Sequence, residues 1–183
     1  MRPLAFLLAL AAASPLAAQE SDHRVGLWYG VGISAAWAGV SCDFCRNERD
    51  LGPAASVRAG ITLGPGVLLG LEVDAWTTER NEVREVLTAT GLVARVYPRP
   101  RGGPFIEAGI GPVFYRAEDE LSATTVGVHL GAGHELPIGG RLSITNRVGL
   151  TASGFGRLVS EGQTVAEPVG FTLLHFGLAL TWR

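Results

Sequence analysis

The sequence predicts an all-β fold, an eight-stranded antiparallel up-and-down transmembrane β-barrel, on three observations. Apolar and small or polar residues alternate with a period of two in about eight stretches, turn signals separate the stretches, and 25 glycines accompany a 47% hydrophobic composition. Val67 to Trp76 shows the logic: Val67, Leu69, Leu71, Val73 and Ala75 share one face, while Gly70, Glu72 and Asp74 share the other. A soluble sheet would carry long charged side chains on its solvent face. Here that face is mostly Gly, Ala, Ser and Thr, which suits a narrow, curved interior.

The first element is a leader. Arg2 supplies a positive start, Leu4 to Ala13 an apolar core and Ser14 to Ala18 a small-residue exit, so residues 1–18 read as a signal peptide cut after Ala18 and 19–183 as the barrel domain. No later apolar run is long enough for a membrane-spanning helix. A net charge of −2 argues against an electrostatic nucleic-acid binder.

The first strand is predicted over Gly26 to Ala38, with Leu27, Tyr29, Val31, Ile33 and Ala35 on one face and Trp28, Gly30, Gly32 and Ser34 on the other. Ala54 to Leu63 and Val67 to Thr78 follow, joined by Gly64-Pro65-Gly66, a tight hairpin turn. Glu85 to Tyr97 forms a fourth strand whose pattern does not settle its facing; Pro98 to Gly103 then turns the chain. Phe105 to Arg116 sets Ile106, Ala108, Ile110 and Phe114 against Glu107, Gly109 and Gly111. Ala123 to Leu136 sets Val126, Val128, Leu130 and Ala132 against Gly127, His129, Gly131 and Gly133, before a turn at Pro137 to Gly140. Arg141 to Ser153 is the seventh strand and Gly170 to Trp182 the eighth, with Leu174, Phe176, Leu178, Leu180 and Trp182 opposite His175, Gly177, Ala179 and Thr181. An even count lets the first and last strands pair antiparallel, so that no unpaired edge is left in lipid.

This layout, with Pro104 to Gly111, Gly127 to Gly133 and the terminal His175 to Trp182, resembles the OmpA-like small outer membrane β-barrels over the whole mature chain. The resemblance implies a cell outer membrane location, outer membrane lipids and lipopolysaccharide as surroundings, and recognition of the C-terminal strand by the barrel assembly machinery. Members usually finish on an aromatic residue; this chain has Trp182 and then Arg183. The short connections at 64–66, 98–103 and 137–140 are expected on the periplasmic side, and the long polar ones at 39–53 and 154–168 outside, with the charged loops 79–84 and 117–122. Tyr29, Trp37, Tyr97, Phe114 and Trp182 are candidates for the interfacial girdles.

Parity puts Arg58, Glu72, Asp74, Glu107, His129, Glu135, Arg147 and His175 inside. Eight strands leave little free volume, so these side chains are expected to pair and plug the lumen. The four acids exceed the two arginines, leaving Arg95, of unsettled facing, or protonated histidines to complete the balance.

The function expected is that of a monomeric, non-enzymatic barrel serving envelope integrity or surface interaction through its loops, with no cofactor or metal. A narrow pore and a lipid A-modifying enzyme are the alternatives. The His-x-Ser-Asn pattern of lipid A deacylases is missing; the nearest text is Ser143-Ile-Thr-Asn-Arg147. Cys42-Asp-Phe-Cys45 reads as a disulfide tightening the first long loop, since both thiols leave the cytosol. The paired glycines alternate within strands, so they are not a phosphate-binding loop.

Overall fold

The computed structural model describes residues 26–42, 49–80, 82–99, 103–117 and 121–183. The leader 1–18 and Cys45 lie outside these residues. Eight strands are present: β1 (Gly26–Ser41), β2 (Arg49–Gly64), β3 (Val67–Arg80), β4 (Val83–Val96), β5 (Gly103–Ala117), β6 (Leu121–Gly139), β7 (Leu142–Ser160) and β8 (Gln163–Trp182). Each pairs antiparallel with its neighbours in sequence, and β1 pairs with β8 from Tyr29↔Trp182 to Ser41↔Gly170. The sheet is closed.

Closure forces a choice of face on every residue, and the choice follows the alternation. Leu27, Ile33, Leu71, Ile106, Val126 and Leu130 point outward and are exposed, Ile33 to 76% and Leu71 to 65%. Trp28, Arg58, Glu72, Trp76, Glu107, Arg147 and His175 point inward and are buried. An apolar outside around a polar inside is stable only where hydrocarbon is the solvent.

The strands run further than the alternation indicates. β2 starts at Arg49, β3 ends at Arg80, β6 continues to Gly139, and β7 and β8 continue to Ser160 and back from Gln163. The expected long connection at 154–168 is therefore a two-stranded ribbon closed by Glu161 (φ 48°) and Gly162 (φ 80°), two left-handed residues of the kind that turn a tight hairpin. Beyond the bilayer there is no lipid to select for apolar side chains, so the period-two signal fades while backbone pairing continues.

Two irregularities mark the wall. In β5, Pro112 has no N–H to donate, and the β4–β5 pairs run from Ala89↔Val113 to Leu92↔Ile110 with none recorded between. In β7 the register shifts between Ala152 and Gly156, and the bulge holds Phe155 at φ 62°, an uncommon conformation for an aromatic residue.

The orientation can be checked energetically. Replacing Leu71, near the middle of β3, with Arg should lower unfolding stability in lipid vesicles by about 2–4 kcal/mol, whereas Leu51→Arg near the start of β2 should cost about 1 kcal/mol or less. Equal costs at the two sites, read from urea titrations, would contradict the assigned lipid face.

Candidate functional site

The lumen is layered. Toward the end that holds both Gly26 and Trp182, the buried residues Trp28, Leu68, Tyr97 and Phe105 form one apolar cluster. At the opposite end a larger cluster includes Trp76, Leu87, Val113, Tyr115, Leu158, Val169, Phe171 and Leu173. Period-two strands place these residues inside for the same reason they place the charges there; each apolar layer occupies the same level on several strands.

The polar groups lie between the two. The Arg147 guanidinium is the hub: Nη1 pairs with Glu72 Oε1, Nη2 lies 3.5 Å from Asp74 Oδ2, and Nε lies 3.5 Å from Glu107 Oε1. Nε also donates to His175 Nε2 at 3.1 Å. Arg95 holds the other oxygen of Glu107 through Nε and Nη2, at 3.0 and 2.7 Å. The His129 ring bridges Thr151 Oγ1 at 3.1 Å and Glu107 Oε1 at 3.3 Å, and lies stacked on His175 with centroids 5.8 Å apart. Arg58 is the least engaged, with Nη2 3.5 Å from Ser56 Oγ and 4.0 Å from Glu72 Oε1.

Glycine makes this density possible. A Cβ on Gly131 would stand 2.8 Å from Glu107 Oε1, and one on Gly149 would stand 2.8 Å from His129 Cε1. Neither position has room for a methyl group.

All eight interior residues, Arg58, Glu72, Asp74, Glu107, His129, Glu135, Arg147 and His175, are buried in the lumen. The base deficit that the sequence leaves is met by Arg95, which faces inward, and by Arg183, whose Nη2 pairs with Glu135 Oε2. Four carboxylates thus meet four guanidiniums. Tyr97 is a correction: it is not an interfacial aromatic but a buried lumenal one, whose hydroxyl donates to Glu135 Oε2 and accepts from Arg183 Nη2 at 2.9 Å. Its parity with Arg95 explains this, since residues two apart on a strand share a face.

A model of the outer membrane protein beta-barrel domain matches residues 4–178. The chain belongs to that family. Its location is the cell outer membrane, and the barrel is similar in fold to Neisserial surface protein A (13% identity, TM-score 0.61, 86% of this chain and 98% of that one covered). It is also similar to Ail, the attachment invasion locus protein of Yersinia pestis (8% identity, TM-score 0.54, 85% and 98% covered). The curated proteins include no match to the sequence.

For an outer membrane barrel the end holding Gly26 and Trp182 is periplasmic, and Arg183 closes it from below. Tyr29, Trp37 and Phe114 are exposed on the lipid face, and Trp182 stacks on Tyr29 with centroids 5.4 Å apart. Cys42, just beyond β1, is disulfide-bonded; the expected pairing with Cys45 falls outside the described residues. Arg183 is the functional residue that parity reasoning missed, because it follows the last strand.

The network predicts unequal arginines. Arg147→Met strands Glu72, Asp74 and Glu107 and should cost about 3–5 kcal/mol of stability, whereas Arg58→Met leaves Glu72 on Arg147 and should cost about 1 kcal/mol or less. Urea midpoints of the two variants in the same vesicles decide this; comparable losses would remove Arg147 from the hub.

Proposed function

We propose that this protein is a non-conducting, non-enzymatic outer membrane barrel whose interior is a structural plug and whose contacts with its surroundings are made by the outer wall and the extracellular ribbon. The observation that carries this reading is the order of the lumen: a charge-balanced polar layer sealed between two apolar clusters. An ion entering from either end would have to cross buried side chains of Trp28 and Phe105, or of Trp76, Leu87 and Phe171. A polar layer in such a place carries little water and few free charges, and its ions are held by one another.

The histidines support the non-enzymatic reading. His129 is engaged by Glu107 and Thr151, and His175 by Arg147; neither meets a serine hydroxyl among the described residues. On the outside, Phe155 is 96% exposed on the β7–β8 ribbon, with Val165 also exposed across it. Such a ribbon serves surface interaction better than a short turn would. The stripe of Leu174, Phe176, Leu178, Leu180 and Trp182 on β8 supports delivery of this strand to the barrel assembly machinery, and the closed sheet supports a monomer in contact with outer membrane lipids and lipopolysaccharide.

The test is electrical. Purified full-length protein inserted into planar bilayers should add no stepwise conductance above the bare membrane, while heat-modifiable gel mobility confirms that the inserted material is folded. Reproducible unitary steps from the folded form would overturn the plug and favour a narrow pore.

A further inference from the structure

The lipid-facing wall is not uniform. A groove of about 780 Å³ crosses it from β8 over β1, β2 and β3 to β4, a volume in the range of small-molecule pockets. Its floor is short side chains, Ala35, Pro53, Ala55 and Ala75, which the ladder places next to one another through Ala35↔Pro53 and Ala55↔Ala75. Larger outward residues border it. Trp37 and Leu51, paired across β1 and β2, stand on the extracellular side, and Val57 and Val73, paired across β2 and β3, on the periplasmic side.

The two ends of the groove differ chemically. One end, at Phe176 and Leu178 on β8, is wholly apolar and lies toward the periplasmic end of that strand. The other reaches Arg84, one residue after the extracellular start of β4, exposed and with no hydrogen bond or ion pair among the described residues. Its cross-strand neighbour is Glu79. An occupant must therefore be apolar where it lies among hydrocarbon and anionic where it meets the extracellular rim. That polarity, running down the wall from cation to grease, is the polarity of an anionic amphiphile standing in the outer leaflet.

We propose that this groove binds one lipid A molecule of the outer leaflet, an acyl chain lying over Ala35, Pro53, Ala55 and Ala75 and a phosphate meeting Arg84. The site deepens the lipid contact named under the function above and rests on that outer-wall reading. It does not depend on the plug: a barrel that conducted could bind the same lipid, and bilayer conductance reports on the one without the other. A free acyl chain of the bulk membrane gains nothing at Arg84, and a soluble phosphate gains nothing from the floor. Lipid A combines both.

The experiment uses the full chain, refolded in phosphatidylcholine nanodiscs doped with lipid A, stripped with mild detergent and weighed by native mass spectrometry. The natural protein should retain one lipid A. Ala55→Phe, which fills the floor with a lipid-compatible side chain, should weaken retention by about ten-fold. Arg84→Gln should weaken it by about five-fold for phosphorylated lipid A and leave the dephosphorylated lipid unchanged. Heat-modifiable mobility checks that each variant is folded. Retention by Ala55→Phe equal to the natural protein, equal retention of phosphatidylethanolamine, or a loss with Arg84→Gln that ignores the phosphates would each overturn the proposal. A dimer in the natural protein that Ala55→Phe abolishes would overturn it in favour of a second copy of the chain.

Discussion

Hydrocarbon accepts no hydrogen bonds, and the rest of this structure depends on that constraint. A β-strand placed in a bilayer must find a partner on both edges, because each unpaired N–H or C=O there costs several kcal/mol with no water to offset it. The pairing of β1 with β8 satisfies the last two edges and turns a ribbon into a cylinder. Once the cylinder exists, the two faces of every strand see different solvents, and the period of two becomes a sorting rule. Leu71 meets lipid because Glu72 cannot, and neither can move without moving the whole strand. The same constraint explains why Pro112 stands out: it removes one donor from a wall that has few to spare.

Sorting the charges inward creates a second problem, which the lumen solves by layering. A carboxylate and a guanidinium buried together are costly to desolvate and return that cost only through close, multiple contacts. Arg147 makes such contacts with Glu72, Asp74 and Glu107 at once, and Arg95 grips Glu107 from the other side. The apolar layers above and below keep water from competing for these ions. Trp28 and Trp76 serve that purpose without adding unsatisfied donors, since their indole N–H groups donate to the carbonyls of Ile61 and Ala36, each at 3.2 Å. The Arg183 guanidinium, 5.5 Å from the Tyr97 ring centroid, completes the lower end.

What the sequence discloses follows from where each signal originates. Lipid imposes the alternation, so strands and facing were legible wherever both faces contrasted strongly, as in Val67 to Trp76 or Gly127 to Gly133. β4 reads Thr88-Ala89-Thr90-Gly91 at its centre, small on both faces, and the facing of Arg95 and Tyr97 was lost with that contrast. The strand extensions were illegible for a related reason: past the headgroups, pairing persists without apolar selection, so Glu161-Gly162 looked like part of a loop instead of its turn. The interior residues were legible one at a time, but the hub was not. Parity places Glu72, Glu107 and Arg147 on the inside without saying that strands three, five and seven bring them to one level; the tilt of the barrel decides that.

The division between a fixed inside and a varied outside has a further consequence. A lumen this dense leaves no slack, since Gly131 and Gly149 already lie against the network, so the barrel's capacity to recognise anything must be located on surfaces that closure does not constrain. Two such surfaces exist. The lipid face needs only to be apolar, not to be smooth, and short residues such as Ala35, Ala55 and Ala75 satisfy the bilayer as well as leucines would while shaping a hollow. The β7–β8 ribbon needs only to pair with itself, and its bulge turns Phe155 outward at the cost of an unfavourable backbone conformation. Both features are dispensable for holding the cylinder together, and that independence is what leaves them open to carry function.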